Sequence, residues 1–238
     1  MNEHWQGGVQ ALKEHLLDYL NPENYKLTYR MRSVNNVLDV EGEYDLILLD
    51  RDCTLHGYRA RKRDPRFERT LHSIKHKAEI VSNTSYEGFV GMRDVFGDLL
   101  PMSKLVRVGG LPRPCLLRYS EGQMKVLFYD AEQKQFEDLT AKLCDGDVLL
   151  EKINHHYKKP DPILFQTVVE KNKCDGRVPE NPKVLMVGDR WLTDIVGANL
   201  AGLDTALVTP VSVFGEKVSL LAGRLLMDVP IGMFMNRL

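Results

Sequence analysis

The sequence has no Cys-x-x-C pair, no apolar run of membrane-spanning length and no surplus of charge of either sign. Each absence closes a class. Cys53, Cys115, Cys144 and Cys174 are scattered, so the spacing of a zinc site is missing. Reduced, half-buried thiols in a reducing compartment are the expectation. No stretch approaches the ~20 apolar residues that a spanning helix needs. Lys and Arg number 32 against 33 Asp and Glu, so bulk charge does not point to nucleic acid, and electrostatics must be read locally. The opening residues, Met1-Asn2-Glu3-His4-Trp5, carry an early acid and no apolar core. That pattern is unlike a secretory signal and unlike an Arg-rich, acid-poor presequence. Internal repeats and low-complexity segments are missing too.

What is present is a globular balance, 43% hydrophobic and 27% charged, in a chain long enough for one large domain or a domain with a small insertion. Trp5, Val9, Leu12, Leu16 and Leu20 recur at helical spacing, and Asn21-Pro22 ends that face. The reading is an N-terminal helical segment over 1–40 and a core over 41–238. The core holds a small insertion around 105–145 and ends in an apolar tail. Tyr44-Asp45-Leu46-Ile47-Leu48-Leu49 is a short apolar run, as in a strand buried on both faces. A helix-like stretch at 65–77 leads to a second strand, Ala78-Glu79-Ile80-Val81. Strands are expected at 105–108 and 124–129, punctuated by Gly109-Gly110 and Glu121-Gly122. Alternation then resumes: helix 161–170, strand 183–187, helix 193–200, strand 205–208. Strand and helix in alternation mean an α/β fold, a Rossmann-like doubly wound parallel sheet with helices on both faces.

Ligands of such sheets bind at the carboxyl ends of the strands. Here those ends carry Asp50-Arg51-Asp52-Cys53-Thr54, then Ser82-Asn83, then Gly188-Asp189 with Asp194 five residues on. Four carboxylates on one edge repel unless neutralised. An all-oxygen set favours Mg²⁺ over zinc as the neutraliser. Taken singly, each piece has an ordinary explanation: an acidic capping loop, a turn, a solvated Lys158-Lys159-Pro160, a βα turn. In order, and on strand ends, they form one pattern.

Asp50-x-Asp52-x-Thr54, Ser82-Asn83, Lys159-Pro160 and Gly188-Asp189-x-x-x-x-Asp194 resemble the motifs of the haloacid dehalogenase-like phosphatase superfamily, over roughly residues 44–209. The resemblance implies a phosphatase with Asp50 as nucleophile and Asp52 as general acid and base. Family ATPases carry Thr at the position of Asp52, and dehalogenases lack an acid there. It further implies Ser82 and Lys159 on the phosphoryl group. Mg²⁺ would be held by Asp50, Asp189 and the backbone carbonyl of Asp52, with Asp194 as ligand or support. Asn83, Thr54 and Arg51 belong around the phosphate, Asn83 and Thr54 orienting their neighbours. Lys158 rivals Lys159; the family lysine usually directly precedes proline. A receiver domain also uses Asp, Ser/Thr and Lys around Mg²⁺, but is about half this length.

Asp52 and Val81 lie 29 positions apart, which leaves little room for a cap over the site. A weakly covered site suits a large substrate. Arg51, Arg59, Arg61, Lys62, Arg63, Arg66 and Arg69 make the loop after the nucleophile basic. That is a solvated helix start or a surface for a polyanion or anionic bilayer. Val218, Leu221, Leu225 and Leu226 share a helical face, and 230–235 is apolar, suited to core packing, interfacial contact or a dimer seam. Within the superfamily the chain is similar to the mitochondrial phosphatidylglycerophosphatases and their bacterial relatives. The carrying residues are His156-x-Lys158-Lys159-Pro160 and Gly188-Asp189-Arg190-x-x-Thr193-Asp194-Ile195-x-x-Ala198-Asn199. Cys53 stands where that family usually has Asn. The resemblance implies hydrolysis of the terminal phosphate of phosphatidylglycerophosphate, in cardiolipin synthesis, at the periphery of the mitochondrial inner membrane. A cytoplasmic phosphatase of a small metabolite or phosphoprotein is the alternative, and an inactive binding scaffold is a third.

Overall fold

The computed structural model describes residues 21–57, 62–145, 148–149, 153–154, 159 and 161–211. The helix expected over 5–20, the apolar segment 218–235, Arg59, Arg61, His156, Lys158 and Pro160 lie outside them. Among the described residues nine strands line up in one sheet: β1 Tyr29–Met31, β2 Leu46–Leu49, β3 Ala78–Val81, β4 Met102–Val108, β5 Cys115–Ser120, β6 Gln123–Asp130, β7 Gln135–Asp138, β8 Val184–Gly188 and β9 Asp204–Val208. Their spatial order is β1-β9-β8-β2-β3-β4-β5-β6-β7. Helices α1 Glu68–Ile74, α2 Tyr86–Phe96, α3 Pro162–Cys174 and α4 Val196–Leu200 connect them.

β2 explains the layering. All four of its residues are buried. Ile47 and Leu49 pack with Phe67, Leu71, Ile74, Phe89 and Phe96 on one face, while Leu46 and Leu48 pack with Leu164, Phe165 and Val168 on the other. Alternation along the strand therefore feeds two cores, and the sheet carries helices on both sides as a doubly wound fold requires.

The expected parallel sheet is in fact mixed. Pairing is parallel from β1 to β4 and antiparallel from β4 through β7. The reason is loop length. Only six residues separate β4 from β5, too few for a crossover, and Glu121-Gly122 is a two-residue turn with φ of 54° and 79°. The stretch read as an insertion around 105–145 thus continues the main sheet as an antiparallel meander. β4 also outruns its neighbour. Met102 and Ser103 pair with Ile80 and Val81, so 104–108 project past the carboxyl end of β3. Ile153–Asn154 pairs with that projecting end.

A buried polar network ties α3 to the sheet. Glu79 of β3 accepts from Ser103 at 2.5 Å, from Arg118 at 2.8 Å and from Asn172 at 3.0 Å. Arg118 also donates to Asp175 at 2.7 Å, and Arg177 to Asn172 at 2.8 Å. A carboxylate this deep is tolerable only when its oxygens are satisfied, and here every partner comes from a different element.

The topology sets the position of the site. From β2 the chain builds outward through β3 and β4, then returns to the other side of β2 with β8. The reversal opens a crevice at the carboxyl ends of β2 and β8.

Candidate active site

Asp50 follows β2 and its amide donates to the carbonyl of Val187 in β8 at 2.8 Å, so the two strands that flank the reversal hold it directly. The loop then turns sharply. Thr54 and Leu55 amides both return to the carbonyl of Arg51, and Cys53 has φ of 64°. That left-handed conformation is one that Asn tolerates better than most side chains. Thr54, fully buried, donates to Asp189 Oδ1 at 3.2 Å.

Lys159 is the centre of the site. Its ammonium is paired with Asp50 Oδ1 and, at 2.6 Å, with Asp194 Oδ1. Asn83 fixes its backbone from both sides, accepting from Lys159 N–H at 2.5 Å and donating to its carbonyl at 3.2 Å. Of the two rival lysines, Lys159 stands in the cluster; Lys158 is outside the described residues.

Asp194 arrives through an unusual turn. Residues Trp191–Ile195 form a π-helical turn in which Ile195 N–H bonds the carbonyl of Arg190, five residues back. Such widened turns recur at functional sites because they re-aim a side chain. Asp194 accepts from Arg190 N–H at 3.1 Å and lies against Gly188. A Cβ at Gly188 would stand 2.4 Å from Asp194 Oδ2, so only glycine permits the approach. Sequence reasoning passed over this reason for Gly188; its place directly before Asp189 was the available signal.

One carboxylate oxygen from each of Asp50, Asp189 and Asp194 lies within 4.8 Å of the others. Among the described residues these three carboxyl groups outnumber the one ammonium paired within the cluster, in a buried crevice. Burial pushes the Asp50 carboxyl up to about 8; Lys159 opposes the rise, and Asp194 and Asp189 add to it. Burial also works against a charged Lys159, but Asp194 and Asp50 outweigh it and hold the ammonium above its ordinary range. A hard divalent cation fits this all-oxygen donor set and matches its surplus charge.

Ser82 directly follows β3 and accepts from Thr84 N–H at 3.2 Å, an arrangement that leaves its hydroxyl proton to donate. Asp52 is not a member of the three-carboxylate cluster. Both its oxygens accept from Arg51, at 3.1 Å from Nε and 2.6 Å from Nη2. Arg51, expected around the phosphate, has its guanidinium on Asp52 and, at 3.1 Å, on the carbonyl of Gly88. Nothing in the sequence pattern separated those uses, although an Arg between two acids hinted at an internal ion pair.

Residues 156–210 match the family model described as HAD-hydrolase-like, 55 of the 238 residues. The matched segment contains Lys159, Asp189 and Asp194 and excludes Asp50, Asp52 and Ser82. It bears on the superfamily and not on the phosphatidylglycerophosphatase branch. No curated protein and no solved structure matches the chain significantly. The α/β sheet, the acidic crevice at its reversal and this match together support membership in the haloacid dehalogenase-like hydrolase superfamily.

Proposed function

We propose that the chain is a magnesium-dependent phosphomonoester hydrolase working through an aspartyl-phosphate on Asp50. The observation that carries this reading is Asp50 at the end of β2, paired with the buried Lys159 and grouped with Asp189 and Asp194. Asp50 attacks phosphorus as the bond to the leaving oxygen breaks. Lys159 offsets the charge on the phosphoryl oxygens and on Asp50, and Ser82 donates its hydroxyl to one of those oxygens. Asp52 delivers a proton to the departing alkoxide and later takes one from water, which attacks the aspartyl-phosphate to release phosphate and restore Asp50. Asp50, Asp189 and the Asp52 carbonyl would hold Mg²⁺; Asp194, already engaged with Lys159 and Arg190 N–H, suits support of that set. When bound, the ion supplies positive charge against the carboxylates and the phosphoryl oxygens.

Hydrolysis of p-nitrophenyl phosphate with Mg²⁺ tests the reading, together with a phosphoprotein trapped by acid quench that is absent from Asp50→Asn. No turnover at any pH with the metal supplied would sink it and leave the scaffold reading in place.

For the substrate, the resemblance to phosphatidylglycerophosphatases supports a phospholipid monoester, met at an anionic membrane, with a peripheral site on the mitochondrial inner membrane. Among the described residues no helix is long and apolar enough to cross a membrane. One observation favours a second reading, a soluble phosphate ester. Three arginines of the basic loop are engaged: Arg51 with Asp52, Arg63 with Asp98 at 3.1 Å, and Arg66 with Asp64 at 2.5 Å. Their charge is therefore partly met within the fold. Co-sedimentation with vesicles rich in anionic lipid, read beside turnover of a lysophosphatidylglycerophosphate analogue, separates the two. Failure to bind, with good turnover of a soluble ester, removes the lipid reading.

A further inference from the structure

We propose that Arg51 is a positioning residue that keeps Asp52 out of the cation-binding carboxylates and so assigns it to proton transfer. The inference rests on the phosphatase reading above. Four acids stand at the crevice: Asp50, Asp52, Asp189 and Asp194. They are chemically alike, and an octahedral Mg²⁺ shell takes about six oxygens, so nothing in residue type alone separates a metal ligand from an acid and base. The geometry separates them. Asp50, Asp189 and Asp194 converge to within 4.8 Å, and Asp52 is held by Arg51 instead.

Arg51 is built to hold rather than to roam. Its side chain is only 7% exposed. Nε and Nη2, on one edge of the planar guanidinium, grip the two Asp52 oxygens, and Nη1 donates to the carbonyl of Gly88 in the first turn of α2. With anchors on two elements, the plane has one orientation, and a forked carboxylate follows it. The α2 anchor is itself tight. A Cβ at Gly88 would stand 1.9 Å from Thr84 Oγ1, so this turn packs directly on the loop that carries Ser82 and Asn83. Arg51 thereby links the proton-transfer loop to the phosphoryl-binding loop. Lysine in its place offers a point charge without the fork.

The test is a leaving-group series. Wild type, Arg51→Met, Arg51→Lys, Asp52→Asn and Arg51→Met/Asp52→Asn are assayed with Mg²⁺ on p-nitrophenyl phosphate and on an alkyl phosphate. The alkyl ester needs an acid for its leaving oxygen; the nitrophenyl ester hardly does. General acid catalysis contributes about 10²–10⁴-fold, so partial mispositioning in Arg51→Met is expected to cost roughly 10- to 100-fold in kcat on the alkyl ester and under about 3-fold on the nitrophenyl ester. Asp52→Asn should show the same skew more strongly, and the double variant should add little to it. Arg51→Lys should resemble Arg51→Met, because the fork is gone, and it carries the test if the methionine variant does not fold. Equal losses on both esters, no loss, or losses that multiply in the double variant overturn the proposal. A wild type inactive on both esters overturns the phosphatase reading itself.

Discussion

Two buried charged clusters sit about one strand apart, and they are built on opposite principles. Around Glu79 every carboxylate is met by cations. Glu79 faces Arg118 and Arg177, Asp175 faces Arg118 and Lys171, and Ser103 and Asn172 add hydrogen bonds. Around Asp50, among the described residues, that is not so: Asp189 and Asp194 crowd it, and Lys159 is the cation paired with Asp50 and Asp194. A balanced cluster has its free energy already realised in the fold. An unbalanced one holds unmet charge that a ligand can satisfy, and that is how a site differs from a structural ion network of the same residue types.

The sharpest way to break this comparison is to remove one acid from each. Asp50→Asn should lower turnover of p-nitrophenyl phosphate by a factor on the order of 10⁴ or more, because the nucleophile is lost. Its melting temperature without metal should stay level or rise, because a buried carboxyl crowded against Asp189 and Asp194 is gone. Glu79→Ala should do the reverse, costing about 3–5 kcal/mol in denaturant titration by removing the buried carboxylate that Arg118, Asn172 and Ser103 share, while kcat of the folded fraction holds. A stability loss in Asp50→Asn equal to that of Glu79→Ala contradicts the distinction.

Geometry within the site comes next. Gly188→Ala should reduce kcat about 10²-fold by displacing Asp194 and, through it, Lys159. Kinetics at saturating Mg²⁺ check this. Metal linkage is smaller in energy. Mg²⁺ at about a hundred times its dissociation constant should stabilise the wild type by about 2.7 kcal/mol, and Asp189→Asn should abolish the shift. Thermal melts with and without the ion decide it.

The smallest effect belongs to a neutral group between the loops. Burial holds the His56 imidazole below its ordinary value, with Phe96 stacked on it at 5.5 Å. Above the ordinary value of about 6.5, His56 is neutral in both folded and unfolded chains and adds no pH dependence. Below it the unfolded chain takes the proton first, so stability should fall as the pH drops under about 6.5. His56→Phe should flatten that part of a plot of melting temperature against pH.

Much of the frame was legible because it is local. Leu46-Ile47-Leu48-Leu49 and Val184-Leu185-Met186-Val187 read as two-face strands from their apolar continuity, and both are strands. Pro162 at the first turn marked α3, which Asp161 caps through the amide of Ile163. β1, β5, β7 and α2 escaped sequence reading. β1 has three residues and β7 is mostly exposed, so neither leaves a strong periodic signal. Glu79 in the apolar strand Ala78–Val81 was a legible anomaly, but its partners lie on β4, β5 and α3.

By itself, the sequence determined the α/β alternation and the placing of Asp50, Ser82 and Asp189 at strand ends, because apolar runs and the residues that stop them act over a few positions. Tertiary structure decided which of those groups meet. Lys159 reaches Asp50 across 109 positions, Asp194 enters through a π-helical turn, and Asp52 turns to Arg51 and away from the other acids. Those outcomes depend on strand register and on close packing at Gly188 and Gly88, and neither is encoded in any short stretch of chain.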